Sequence, residues 1–523
     1  MSIYQKSYLG FDHMSANSRT SKSIKNSLFA LVFYFINLIL QFFSRKIFLD
    51  YLGAEVLGLN TTATNLLQFL NLAELGIGSA IACTLYKPLY EKDQATINEI
   101  VSLQGWLYQR IAWIVIAGSI VLMAFFPWIF AKMPLPLWYA YASFGVLLVS
   151  ALLSYFVNYK QIILSADQKE YKILYSYKVS MLVKLLCQLL AIRYLNNGYV
   201  WWLILEVVFA VVASVALNHV IACSYPYLKT DMDMGKELAK KYPGILVKIK
   251  QLFFHKIAGF ALTQTSPIII YVYTTLTIVA LYGNYMLVIL GVITFSTVMF
   301  NGITAGIGNL IAQGDKQRVV DVFEELFSVN FLLSNVICFG VYKLLPPFIK
   351  LWIGPEYLLD DMTLVLLVIY TYFCLTRQVI IAYINAYGLF EDIWAPIAEA
   401  VINIGMSILL GYFYGLNGVL VGNILSLFLI VFCWKPYLLY IKGIKKEFNH
   451  YIVMYVKHLS VLLISLVVVS FMLNFFKLEA SDSFLHFILL LVMYNGMFLL
   501  ILFGVSFCVI RSVRSFFYRF FNI

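Results

Sequence analysis

The sequence predicts an all-α polytopic membrane protein of about fourteen transmembrane helices: two six-helix bundles arranged as a parallel repeat, then two further helices. Three observations predict it. The 523 residues are 62% hydrophobic and only 12% charged, where a soluble domain is roughly one-quarter charged. Uncharged stretches such as LFALVFYFINLILQFF from Leu28 and HFILLLVMYNGMFLLILFGVSFCVI from His486 sit in runs of the roughly 18 apolar residues that cross a bilayer as a helix. The alternation of an outer-membrane barrel is absent, so the spans are helices. Finally, two short pieces of sequence occur twice at similar spacings.

The elements follow in order. Residues 1–26 are polar and weakly basic and are expected to form a cytoplasmic tail. No small-residue cleavage site follows the first apolar run, so that run is expected to be a span rather than a removed signal peptide. Spans one to six lie near 27–48, 62–86, 105–130, 138–160, 173–195 and 199–222, giving a first bundle over 27–222. A polar stretch at 223–250, including KTDMDMGKELAKKY, is expected as a cytoplasmic linker. Spans seven to twelve lie near 252–273, 279–307, 325–347, 362–386, 391–414 and 418–440, giving a second bundle over 251–442. Residues 443–523 hold spans thirteen and fourteen, near 452–475 and 484–510, and a basic tail.

Orientation follows from where Lys and Arg accumulate. With both termini in the cytoplasm, only Arg45, Lys46, Lys132, Arg193, Lys343, Lys350 and Lys477 of the 37 basic residues fall in outside loops and span ends. The net charge of +11 therefore reports topology rather than nucleic-acid binding. The seven cysteines sit singly in or beside apolar runs with no CxxC or His-rich spacing, and read as packing residues. No metal cluster, nucleotide loop or nucleophile triad is visible, and no cofactor or catalytic residue is expected.

The repeated pieces are GIGSAIA at 76–82 against GIGNLIA at 306–312, and YLNNG at 194–198 against YGLNG at 414–418. Each heptapeptide is read as the end of a span entering a charged cytoplasmic turn. Each pentapeptide is read as an outside turn, before spans six and twelve. Spacings of 230 and 220 residues in the same order imply that spans one to six recur as seven to twelve, pointing the same way, as in parallel-repeat transporters. For the glycines individually, close helix packing is the plainer reading.

The stretch YLGAEVLGLNTTATNLLQFLNLAELGIGSA, Tyr51–Ala80, resembles the first-to-second-span region of bacterial polysaccharide flippases. These are the O-antigen and capsule type members of the multidrug/oligosaccharidyl-lipid/polysaccharide exporter superfamily. TIVALYGNYMLV, Thr277–Val288, resembles the matching region of their second half. Such proteins often carry an acid late in span seven, where this chain has Ser266 within TQTSP. The resemblance implies alternating-access export of an undecaprenyl-pyrophosphate-linked oligosaccharide across the bacterial inner membrane. It also implies membrane lipid, a polysaccharide polymerase and a chain-length regulator as partners, and no nucleic acid.

Ionisable groups at membrane depth point to a functional interior. In span five, Ser176, Ser180, Lys184 and Gln188 recur every fourth residue as one polar stripe. Lys178 lies off it, nearer the cytoplasmic end, where snorkelling is the plainer reading. Span ten holds Arg377, with Gln378 beside it; a guanidinium fork suits phosphate oxygens. An ion pair with Glu399 or Glu74 is the other reading of Arg377. His255 and Lys256 open span seven, at the interface or at a mouth that captures pyrophosphate. Glu74, Glu206 and Glu399 are candidates for ion coupling. A multidrug or cation exporter, a peptidoglycan-precursor flippase and a membrane sugar polymerase are the rival readings. The internal cations disfavour the first, and the shortness of the outside loop around Glu356, Asp360 and Asp361 disfavours the last.

Overall fold

Each of the fourteen apolar runs falls on helix in the computed structural model, and among the described residues there is no strand. The structure describes the backbone of residues 4–521 apart from 75–76, 132, 168, 390–391, 393 and 477–482. Side chains of residues 4–35, of most of 251–264 and 301–312, and of some single positions lie outside the described residues. Ten helices among those described are long and apolar enough to cross a membrane. The chain divides into two compact units, residues 1–257 and 258–523.

Two helices are longer than one span because each folds at a glycine. Tyr4–Leu70 turns at Gly53 (φ 85°, ψ 168°) and Trp394–Ser426 at Gly415 (φ 56°, ψ −129°). Positive φ is open to glycine at little steric cost. The second fold is tight: a Cβ on Gly418 would lie 2.0 Å from the Leu410 carbonyl oxygen. The first unit uses the same device at YLNNG. Asn197 takes a left-handed conformation (φ 57°), and a Cβ on Gly198 would lie 2.8 Å from the Ile192 Cα. The two pentapeptides thus share a last glycine set against the backbone of the preceding helix, while the positive φ falls on the fourth residue of one, Asn197, and on the second of the other, Gly415.

A second turn also recurs. Lys92 (φ 57°) precedes Asp93, whose Oδ1 accepts from the Thr96 amide at 3.1 Å. Gly314 (φ 79°) precedes Asp315, whose Oδ1 accepts from the Arg318 amide at 3.0 Å. Both aspartates cap the next helix by satisfying an amide left orphaned at its start. The Thr96 bonds hold the exposed Asp93 carboxyl below its ordinary range.

The heptapeptides are a correction. Residues 77–82 open the short helix Ile77–Glu91, after a break in span two, whereas GIGNLIA closes the helix Leu276–Ala312. Measured from the capped turns, they are eight residues out of register, about two helical turns. Their likeness is therefore not the repeat, and the two turns set the period.

A third correspondence has no sequence echo. Span four breaks where Trp138–Phe156 gives way to the 3₁₀ stretch Asn158–Gln161. There Gln104 Nε2, from span three, donates to the Tyr159 carbonyl at 3.0 Å. Span ten breaks at Arg377, between Asp361–Thr376 and Gln378–Tyr387. There Asn330 Nδ2, from span nine, donates to the Leu375 and Thr376 carbonyls at 3.2 and 3.1 Å. A break frees carbonyls that hydrocarbon cannot satisfy, and in each unit a buried amide on the preceding span satisfies them.

The first unit's core gathers Ile81, Leu85, Val101, Ala112, Val115 and Leu164. The stretch read as a linker is fastened across it. Asn98 donates to the Tyr227 carbonyl, the Asp231 amide to Ser102, and Lys241 to Glu99 at 2.7 Å. Gly235 sits so close to Trp106 that a Cβ would lie 2.1 Å from the indole. In the second unit an aromatic core of Phe323, Phe327, Phe331, Tyr383 and Tyr440 packs against span thirteen, and span fourteen joins a separate cluster with span nine. Phe339 stacks on Phe498 at 4.4 Å.

Candidate functional site

In the first unit the polar stripe of span five meets span six. Lys184 Nζ lies 2.6 Å from Glu206 Oε1, both side chains largely buried. Gln188 Nε2 donates to the other carboxylate oxygen at 2.9 Å and to the Trp202 carbonyl at 3.1 Å. Burial leaves Glu206 without water, and a cation with an amide replaces it; breaking such a pair leaves an uncompensated charge. Ser176 and Ser180 donate back to the carbonyls of Lys172 and Ser176 in their own helix. Lys178 is exposed, at the end of the π-helical turn Leu174–Lys178.

Glu74 sits in the 3₁₀ turn Asn71–Glu74, at the break in span two. Its Oε1 accepts from the Tyr108 hydroxyl at 2.9 Å. The buried Tyr155 ring packs on Tyr108, centroids 5.8 Å apart, and lies in the electrostatic range of Glu74. A phenol from span three therefore holds this carboxylate, with a second from span four packed beside it.

In the second unit Arg377 stands at the break in span ten. Its Nε is buried and has no hydrogen-bond partner among the described residues, as is true of Glu399 Oε1 on span eleven. The guanidinium lies in the electrostatic range of Glu399, Tyr370 and Cys374. Gln378 donates to Thr297 Oγ1 and the Cys374 carbonyl, both at 3.0 Å. Arg377 and Glu399 are thus neighbours, whereas Glu74 belongs to the other unit's tyrosine cluster. The side chains of His255 and Lys256 lie outside the described residues.

Sequence reasoning missed a neutral cluster around Ser266. Asn423 Nδ2 donates to Ser266 Oγ at 3.0 Å, and Asn403 Nδ2 to Asn423 Oδ1 at 2.8 Å, with Ser407 and Ser426 completing the group. All five are buried. At the position in span seven where the resemblance implies an acid, this chain has amides and hydroxyls bonded to one another. Gln104 and Asn330 were missed as well. The available signal was the same for all of them: an amide inside an otherwise apolar run, which in hydrocarbon must find a partner.

No group of three His, Cys, Asp or Glu could hold a metal among the described residues. An apolar groove of about 440 Å³ lies in the second unit, with Phe339 and Tyr342 of span nine, Val365 and Tyr372 of span ten, and Tyr455, Leu462 and Phe498 of the last two spans on its walls. The Tyr372 and Tyr455 hydroxyls meet across it.

The chain has the fold of a lipid II flippase, MurJ, solved in an inward closed conformation. The TM-score is 0.62 at 15% identity, over 95% of this chain and 100% of that one. A multidrug resistance MATE family transporter of the MOP superfamily, inward-facing, matches with a TM-score of 0.57 and 15% identity, over 79% of this chain and 95% of that one. No family model matches the chain, and no curated protein matches it in sequence. It is a multi-pass membrane protein of the fold these transporters share.

Proposed function

We propose that this chain is a flippase. It would carry an undecaprenyl-pyrophosphate-linked oligosaccharide from the cytoplasmic to the outer face of the bacterial inner membrane by alternating access, for surface polysaccharide synthesis. The observation that carries the reading is the apolar groove walled by the last two spans. The match to the multidrug transporter uses nearly all of that protein and leaves a fifth of this chain over; the match to the lipid flippase leaves one-twentieth. The groove, walled by spans nine and ten together with the last two, is where we place the lipid tail.

A pyrophosphate and its sugars cannot cross ~30 Å of hydrocarbon unaided, since each unpaired polar group costs several kcal/mol there. A polar route for the head beside a bilayer-facing groove for the tail removes that barrier. Arg377 is the first candidate for the phosphate, because its Nε is buried without a hydrogen-bond partner among the described residues. Lys184 takes part only by exchanging Glu206 for substrate; Gln188, Gln378, Ser180 and Lys178 stand near these two in sequence and helix. Glu74, held by the Tyr108 phenol, and Glu206 and Glu399 are the candidates for ion coupling.

The test is reconstitution. Proteoliposomes carrying the lipid-linked oligosaccharide are exposed to an impermeant glycosidase. Without protein about half the sugar is cleaved; with it, all should be. Cleavage stopping at half while a cationic dye is exported would replace the reading with a multidrug exporter. The same assay with the peptidoglycan precursor tests the reading that the likeness to a lipid II flippase favours.

A further inference from the structure

The last described helix, Arg511–Phe521, reads RSVRSFFYRFF, with three arginines and no carboxylate. Its faces separate at helical spacing. Ser512 and Val513 are buried and Phe516 and Phe517 half-buried, while Arg511, Arg514, Ser515, Tyr518 and Arg519 are exposed. The helix is anchored at its buried face and along its edge. Ser512 Oγ lies 2.7 Å from Ser328 Oγ, Ser515 Oγ donates to Glu325 Oε1 at 2.6 Å, and Arg519 pairs with the other oxygen of that buried carboxylate.

Depth follows from the aromatic contacts. The Phe517 ring packs against Phe503 and Phe507, with centroids 5.8 and 5.7 Å apart. Both belong to the last turns of the span Phe484–Val509. At about 1.5 Å per residue, the helix lies beside roughly the final 10 Å of that span, the level of the lipid headgroups. Arg519 is committed to Glu325. Arg511 and Arg514 face outward one turn apart, with no carboxylate partner among the described residues.

We propose that Arg511–Phe521 is an interfacial helix whose outward arginines, Arg511 and Arg514, bind the phosphate of an anionic phospholipid in the leaflet against which it rests. The charge is complementary, because a basic amphipathic helix is drawn to a negative lipid surface. Docking adds definition: side chains three apart on a fixed helix are neighbours, and two guanidinium forks can close on one phosphate. The inference does not depend on what the protein transports.

The test uses the full chain purified in detergent and offered equal amounts of phosphatidylglycerol and phosphatidylcholine, with retained lipid counted by native mass spectrometry. The wild-type protein should keep the anionic lipid in excess. The double substitution Arg511→Gln/Arg514→Gln should reduce that preference about five-fold per arginine removed, and Arg511→Lys/Arg514→Lys should keep most of it. Melting of each variant in phosphatidylcholine alone should match wild type, which separates lost binding from lost folding. An unchanged lipid ratio in the glutamine variant would overturn the proposal. So would displacement of the anionic lipid by millimolar soluble pyrophosphate, which would make the arginines part of a substrate site.

Discussion

Gln104 and Asn330 make the same contact in the two halves of the chain. Each reaches from the third span of its unit to a main-chain carbonyl at the break in the fourth, at 3.0 Å to Tyr159 and at 3.1 Å to Thr376. The two residues are 226 positions apart, close to the spacing of the pentapeptide turns, yet they are different amino acids. An amide donor at that depth is what the repeat preserves.

Removing the donor should therefore destabilise either unit. Gln104→Leu removes one side-chain hydrogen bond and Asn330→Leu two, each worth about 0.5–1.5 kcal/mol net. Thermal unfolding of the purified chain should rank wild type above Gln104→Leu, and that above Asn330→Leu. Wild-type melting of the Asn330 variant would show that the break is satisfied some other way.

The Lys184–Glu206 pair has a distinct signature. Lys184→Met leaves a buried carboxylate without its cation, at a cost of roughly 3–5 kcal/mol, while replacing both members by apolar groups is often neutral. Lys184→Met should lower the amount of folded protein in the membrane, and Lys184→Met/Glu206→Met should restore it. Surface glycan measured on the restored double variant then reads transport alone. Full export there would remove Lys184 from the substrate path.

Arg377 is tested by sign. One charge pair at 4 Å is worth roughly 4 kcal/mol at an effective dielectric of 20, before desolvation. Arg377→Glu should abolish surface polysaccharide at a normal protein level, and Arg377→Lys should keep part of it, since charge survives and the fork is lost. If Arg377 serves only to neutralise Glu399, Arg377→Glu should instead deplete the folded protein and Arg377→Glu/Glu399→Arg should recover it.

Topology can be read from the fastened stretch at 225–242. With the seven natural cysteines replaced, a cysteine at Lys240 should resist an impermeant thiol reagent in intact cells and react in inverted vesicles. Labelling in intact cells would reverse the orientation drawn from the basic residues.

Sequence by itself determined the solvent and the span layout. Runs with so little charge have one stable environment, and within it a helix is the structure that satisfies its own backbone. The pentapeptide echo was legible too, because YLNNG and YGLNG each end on a glycine set against a helix backbone, a constraint local to a few residues. The heptapeptides misled for the complementary reason: inside a helix Gly-x-Gly imposes no turn, and a Cβ at Gly308 would meet nothing within 4 Å. Tertiary structure alone decided where each polar group finds its partner. Glu206 lies 22 residues from Lys184, Ser266 bonds Asn423 across 157 residues, and Glu325 meets Ser515 across 190. In hydrocarbon a polar side chain must be satisfied, so the sequence announces that a partner exists. Which partner depends on how the spans pack, and that is set by the shapes of whole helix faces.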